Sequence, residues 1–339
     1  MHTSDPVCGG VLRTVGRTPL VELTRLEPAA RFRLFAKLEG HNPGGSIKDR
    51  SALELLRGAI RDGLVIPGRS VVVESSSGNL GIGLAQACGY LGIRFICVVD
   101  PRANRQNIAI MRALGAEVEV VTRTDPATGE YLPVRIRRVR EILARTEHAY
   151  CPDQYSNPLN PRSHHATMRE ICEAVPGGPD YLFAATSSCG TLRGCAEYAR
   201  EQQLPVSIVA VDAEGSVIFG REPAPRLIPG HGAAVRPALH QDGLADTVVH
   251  VSDLDCVVNC RRLAAREAIL AGGSAGAVIA AVRRMADRIP DGATCAVVLA
   301  DRGERYLDTI YNDDWVASHF GDVAHLWKEN SPVAEVAPC

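Results

Sequence analysis

The sequence predicts an α/β protein folded in two lobes around open, mainly parallel sheets. Three observations lead there. Short apolar runs alternate with helix-period segments along most of the chain. The runs are apolar almost without interruption, as strands covered on both faces must be. At 339 residues the chain is long enough for two cores. A composition of 46% hydrophobic and 22% charged residues excludes a disordered chain, and a net charge of −2 gives no electrostatic reason to expect nucleic acid or an anionic membrane.

The elements follow in order. Segments 34–38, 71–74, 95–99 and 118–121 read as strands, each a short run rich in β-branched or aromatic residues. Helical periodicity over 49–62, 79–91, 104–114 and 133–146 separates and follows them. The Asp125–Gly129 turn region and the Pro-rich stretch 152–161 interrupt the rhythm near the middle. A second series then runs through strands at 181–185, 207–212, 248–251 and 295–300, with helices near 163–174, 191–203, 254–270 and 275–288. In such folds ligands bind at the C-terminal ends of strands, in a cleft where helices begin.

No apolar run reaches the roughly 18 residues a membrane-spanning helix needs. The Met1–Pro6 start has neither the basic residues nor the apolar stretch of a signal peptide. A cytoplasmic protein is expected. The eleven cysteines are an odd, scattered set from Cys8 to Cys339; Cys256 and Cys260 form a single i, i+4 pair, so neither a metal site nor a disulfide framework is expected. Of 37 basic residues only Lys37, Lys48 and Lys328 are lysines. Any chemistry that needs a lysine amine has three candidates.

Four loops carry the chemistry. Asn42-Pro-Gly-Gly-Ser-Ile-Lys48 is turn-rich and leads into a helix, placing a lysine at a rigid helix start; a solvated surface lysine is the plain alternative. Val71-Val-Val-Glu-Ser-Ser76-Ser77-Gly-Asn79 passes from strand to helix without a dinucleotide fingerprint, and offers hydroxyls and free N–H groups suited to a carboxylate, or a simple helix cap. Phe183-Ala-Ala-Thr-Ser187-Ser188-Cys189-Gly190-Thr191 has the small residues and hydroxyls of a phosphate cup. Gly272-Gly-Ser274-Ala-Gly276 reads as a close approach between two helices.

Together, in this order and spacing, the four loops resemble the fold-type II pyridoxal-phosphate enzymes of the cysteine synthase and cystathionine β-synthase family, whose fold is tryptophan synthase β-like. Gly16-Arg-Thr-Pro-Leu-Val21 and Gly303-Glu-Arg-Tyr-Leu307 extend the resemblance over roughly residues 10–315. It implies two open twisted α/β domains with pyridoxal 5′-phosphate in the cleft between them. Residues 1–48 would be shared between the lobes, 49–149 would form the small substrate domain, 150–315 the large cofactor domain and 316–339 a tail. By position, Lys48 matches the lysine that carries the cofactor, Asn79 the partner of its 3′-oxygen, Ser187, Ser188, Cys189, Gly190 and Thr191 the phosphate loop, and Ser274 the partner of the ring nitrogen. Ser76, Ser77 and Gln154 match positions that hold the substrate carboxylate, and Gly232 lies in another substrate-facing loop.

The expected reaction is β-replacement on an activated serine. The chain departs from the usual cysteine synthase pattern: Leu80 stands for Thr, Ser-Ser-Cys-Gly-Thr for a Gly-Thr-Gly-Gly-Thr cup, and Ala166-Thr-Met-Arg-Glu170 for Thr-Thr-Gly-Pro-Glu. The stretches 75–80, 129–136, 186–190 and 307–311 resemble instead a subgroup that joins O-phospho-L-serine and L-glutamate, toward 2,3-diaminopropionate for siderophores and peptide antibiotics. Two anionic substrates need fixed cations or dense N–H donors. Arg135, with Tyr155 and Ser188, is the candidate for recognising them, although Arg135, Arg137, Arg138 and Arg140 also read as one solvated helix face. Arg193 and Arg236 are weaker candidates, and His164 and His165 are expected to be structural. The resemblance implies a homodimer. A sulfide-using cysteine synthase, a cystathionine β-synthase-like enzyme and a non-catalytic cofactor-binding regulator are the rival expectations.

Overall fold

The computed structural model describes residues 9–27 and 29–328. Cys8, Cys339 and the Met1–Pro6 segment lie outside them. Strands β1 (Leu20–Glu22), β2 (Arg33–Leu38), β3 (Val71–Glu74), β4 (Arg94–Val99), β5 (Glu117–Val120), β6 (Ala149–Tyr150), β7 (Tyr181–Ala185), β8 (Ser207–Ala213), β9 (Thr247–Val251) and β10 (Thr294–Leu299) form two sheets. The helices are α1 (Lys48–Arg61), α2 (Asn79–Leu91), α3 (Arg105–Ala113), α4 (Leu132–Arg145), α5 (Leu159–Ser163), α6 (His165–Ala174), α7 (Gly190–Glu201), α8 (Asp253–Glu267), α9 (Gly273–Met285), α10 (Asp313–Phe320) and α11 (His325–Lys328).

One sheet has the order β1-β2-β10-β7-β8-β9 and the other β5-β4-β3-β6. All pairings are parallel except β1 with β2. Both sheets are covered on both faces, which is why the inner strands β3, β4, β7, β8 and β10 are apolar at nearly every position, whereas edge strand β5 alternates Glu and Val. In the larger sheet Phe183, Val209 and Val297 face α8 and α9, while Leu182, Ile208 and Ala296 face the side of α6 and α7. In the smaller sheet Val72, Phe95 and Cys97 pack toward α1 and α2, and Val71, Val73 and Ile96 toward α4.

The helices that point at the cleft are set by their ends. α2 follows directly on the Ser76-Ser77-Gly78 turn and stops at left-handed Gly92. α8 begins in a capping box, with Ser252 accepting from the Asp255 N–H and Asp255 accepting from the Ser252 N–H. α9 is buried along its length and packs against α8 and strands β7 to β10, so its first turn is held rigidly under the cleft.

The structure departs from the sequence expectations in five places. β1 is an antiparallel edge strand and β6 a two-residue strand at the edge of the smaller sheet, both too short to show periodicity. The single helix expected at 163–174 is broken at His164 into α5 and α6, because His164 turns inward, fully buried, to hydrogen-bond Ser51, Thr167 and Thr191. Gly273 to Gly276 form the first turn of α9 itself, so the close approach to α8 is made from within a helix. Two short helices, α10 and α11, occupy 313–328; Val316 is buried and Trp327 lies against the guanidinium of Arg261 on α8.

Candidate active site

The three lysines have very different surroundings. Lys37 is buried on β2 and ion-paired to Glu170 at 2.7 Å, within a cluster that also holds Arg50, Glu39 and Thr18. Lys328 is exposed on α11. Only Lys48 lines a cleft. That cleft, of about 440 Å³ with its solvent-open part, brings Lys48 together with Ser187 through Thr191, Gly230 and Ser274. Burial pushes the Lys48 amine down from the usual lysine range, opposed by the nearby Asp301 and Glu39 carboxylates. A larger share of free base at neutral pH follows.

At the other end of the cleft β7 runs into α7 through the cup. Cys189 caps α7 with φ +65°, a left-handed conformation that turns successive backbone N–H groups toward one point. Among the described residues no protein acceptor meets the N–H of Ser187, Ser188, Cys189 or Thr191. Four unpaired donors at a helix N-terminus fit a phosphate group. The Ser274 hydroxyl, in the first turn of α9, likewise has no protein partner and opens to the cleft. An amine of lowered basicity, an anion cup and a free hydroxyl are the donor set that pyridoxal phosphate requires, so these residues could hold it. Among the described residues no group of three or more His, Cys, Asp or Glu is arranged to hold a metal ion.

The other predicted residues surround this centre. The Asn79 amide donates to Asp301 Oδ2 at 2.7 Å and its oxygen accepts from Arg305. Asp301 also accepts from the Tyr306 hydroxyl at 2.6 Å. Burial raises the Asp301 carboxyl, against the hydrogen bonds from Tyr306 and Asn79 and the Arg305 and Lys48 charges. Ser76 Oγ accepts from the Gly81 N–H and acts as a local cap, whereas the Ser77 hydroxyl has no protein partner among the described residues. Gln154 is buried, and its carbonyl accepts from Asn160 Nδ2, which also donates to Ser188 Oγ at 3.3 Å. Asn160 thereby ties the Gln154 loop to the cup, while its Oδ1 accepts from Ser51, one turn beyond Lys48.

The arginines separate. Arg137 and Arg138 pair with acids at the surface, but Arg135 is largely buried, with Nε 3.3 Å from Asp100 Oδ2 at the end of β4. Its charge acts on Tyr155, a residue 44% exposed. Arg193 is committed to Glu197 and the Leu239 carbonyl, and Arg236 is exposed and paired with Asp242. His165 lies near Glu197 and Glu201 on the outer side of α7. Gly232, at φ +71°, donates its N–H to the Thr186 carbonyl just before the cup.

Sequence reasoning gave no role to Asp301, Arg305 or Asn160. Asp301 lies two residues beyond the end of β10, so its place just past a strand end was the available signal; Asn160 had none, since its role depends on three loops meeting.

The described residues include no helix long and apolar enough to cross a membrane. A family model described as pyridoxal-phosphate dependent enzyme matches residues 11–301. The chain is 44% identical over 312 residues to an N-(2-amino-2-carboxyethyl)-L-glutamate synthase of Ralstonia nicotianae, covering 92% of each chain. Among solved structures it is similar to O-ureido-L-serine synthase (31% identity, TM-score 0.82, 92% of this chain and 100% of that one). It is also similar to the cysteine synthase of Entamoeba histolytica (32% identity, TM-score 0.84, 91% of each). Fold, cleft and comparisons agree that this chain belongs to the pyridoxal-phosphate dependent enzyme family.

Proposed function

We propose that the enzyme joins O-phospho-L-serine and L-glutamate by β-replacement, giving N-(2-amino-2-carboxyethyl)-L-glutamate and phosphate in a route to 2,3-diaminopropionate. The observation that carries this reading is the 44% identity, over 92% of both chains, to the Ralstonia synthase of that name. The Cβ–O bond of phosphoserine breaks, phosphate leaves, and the glutamate amine forms the new Cβ–N bond.

When bound, pyridoxal phosphate supplies an aldehyde that captures amino groups and a ring that withdraws electrons from their α-carbon. In our reading Ser187, Ser188, Cys189, Gly190 and Thr191 hold its phosphate, Asn79 its 3′-oxygen and Ser274 its ring nitrogen. Lys48 Nζ, its basicity lowered by burial, takes the substrate α-proton and later returns one. Ser76, Ser77 and Gln154 hold the α-carboxylate. Arg135, set by Asp100, with Tyr155 and Ser188, faces the anionic end of phosphoserine. Phosphate and glutamate are better matched by such fixed donors than sulfide is. We further propose a cytoplasmic homodimer, the state the resemblance implies; sedimentation of the purified protein tests the dimer.

The functional test is one experiment. O-phospho-L-serine is added to the yellow protein while the visible spectrum and released phosphate are followed, then glutamate or sulfide is added and the product identified by mass spectrometry. The condensed amino acid, formed with glutamate, is the expected product. Cysteine formed with sulfide and nothing with glutamate would replace this reading by cysteine synthesis.

A further inference from the structure

Between β8 and β9 an irregular segment reaches the cleft at Gly230, with His231 and Gly232 directly after it and Arg226 hydrogen-bonded to the His231 carbonyl. Arg226 is half-buried. Its Nη1 donates to the His231 carbonyl at 3.1 Å, while Nε is buried without any partner. Among the described residues it forms no ion pair, unlike Arg135, Arg193 and Arg236. Beside it the His231 side chain is 1% exposed, and neither ring nitrogen has a hydrogen-bond partner. Two unsatisfied donors therefore sit together in a buried place, where each unmade bond costs stability.

Their position is fixed by the cup. The Gly232 N–H donates to the Thr186 carbonyl at 2.7 Å, next to Ser187. A Cβ on Gly232 would lie 2.6 Å from Arg226 Nη1, so the absence of a side chain there makes room for the guanidinium. The Arg226 charge also acts on Tyr155, as that of Arg135 does. Burial, reinforced by Arg226, holds the His231 imidazole down at about 3, so it is neutral in the working range and keeps one N–H to donate.

We infer that Arg226 and His231, opened by Gly232, form a subsite for the distal carboxylate of the acidic amino acid that acts as nucleophile. This rests on the proposed reading of glutamate as acceptor. The charge count favours a carboxylate: one guanidinium and one neutral N–H balance a monoanion, whereas the phosphate dianion of phosphoserine would remain undercompensated. The subsite would align the glutamate amine by gripping the far end of the molecule.

The test compares wild type with Arg226→Ala and with His231→Leu, using O-phospho-L-serine with glutamate or with glutamine, which lacks the distal charge. In wild type, glutamine should be used about ten- to a hundredfold less efficiently than glutamate. Arg226→Ala should raise the KM for glutamate by a similar factor, leave the KM for O-phospho-L-serine within about twofold, and reduce the preference over glutamine. The cofactor band and melting curve identify any variant that has misfolded, and the wild-type glutamine comparison stands without a variant. A rise confined to the KM for O-phospho-L-serine would assign the arginine to phosphate and overturn the inference. So would an unchanged glutamate KM. Failure of wild type to condense glutamate at all would instead defeat the functional reading beneath it.

Discussion

Cys189 holds its backbone at φ +65°, where an L side chain is strained, in the middle of the cup. The usual cup of the resembling family has Gly at this place, and the structure shows why: the left-handed turn is what aims the N–H groups inward. The thiol itself is buried, and burial pushes it up to about 12, so it is inert and neutral. Cys189→Gly should therefore keep cofactor affinity and lose little or no stability. Cys189→Val, β-branched and forced into the same conformation, should cost about 1–3 kcal/mol and weaken cofactor binding. Thermal melts with a titration of pyridoxal phosphate check both, and a fully stable valine variant would show that the turn tolerates a β-branched side chain. At this scale the sequence was legible where chemistry is local: Lys48, Ser187 to Thr191 and Ser274 face one cleft as their motifs predict. It was silent where position comes from packing, as with Asn160, whose partners Ser51 and Ser188 lie far away in the chain.

Elements place those residues through close crossings of helices. α1, which begins with Lys48, packs on α2 at Gly83, where an added Cβ would lie 3.0 Å from Ala52 Cβ and 3.2 Å from the Lys48 carbonyl. α9, which carries Ser274, packs on α8 at Gly276, where a Cβ would lie 2.0 Å from the Cys256 carbonyl oxygen. The two contacts should respond differently to the same added methyl group. Gly83→Ala needs a shift of only a few tenths of an ångström and should leave stability nearly intact while moving the base of Lys48, so turnover falls more than the melting point does. Gly276→Ala meets backbone and should cost about 3 kcal/mol or prevent folding. Denaturation curves beside turnover numbers separate the cases; equal losses of stability would contradict the distances. Most helices and strands were readable because apolar runs and periodic stripes are driven by burial. The break at His164 was not, because a polar network and not an apolar stripe decides it.

Across the whole molecule, buried ionisable groups oppose one another in their effect on stability. His164 and His231 are held neutral, chiefly by burial, His231 near 3 and His164 well below the usual histidine range. The unfolded chain protonates both below about 6.5, so each draws stability away as pH falls. Glu74 and Asp49 are raised by burial to about 7. In the unfolded chain they ionise near 4, so their contribution is full below that value and is lost as pH rises toward 7. Between about 4.5 and 6.5 the two sets act in opposite directions, each group changing stability by up to about 1.4 kcal/mol per pH unit. Below that window the carboxyls no longer compensate. Glu170 then adds to the loss: burial would raise it, but its hydrogen bonds with Arg50 prevail and hold it at about 2, so its stabilisation disappears as pH falls from about 4.5 toward 2. The holoenzyme should show a nearly flat melting temperature from about pH 4.5 to 6.5 and a steep fall below. Glu74→Gln removes one opposing group, and in that variant stability should instead decline as pH falls through the same window. Calorimetric scans at constant ionic strength and cofactor concentration decide the matter. A wild-type curve that falls steadily from pH 6.5, parallel to that of the variant, would mean that Glu74 ionises normally and does not balance the buried histidines.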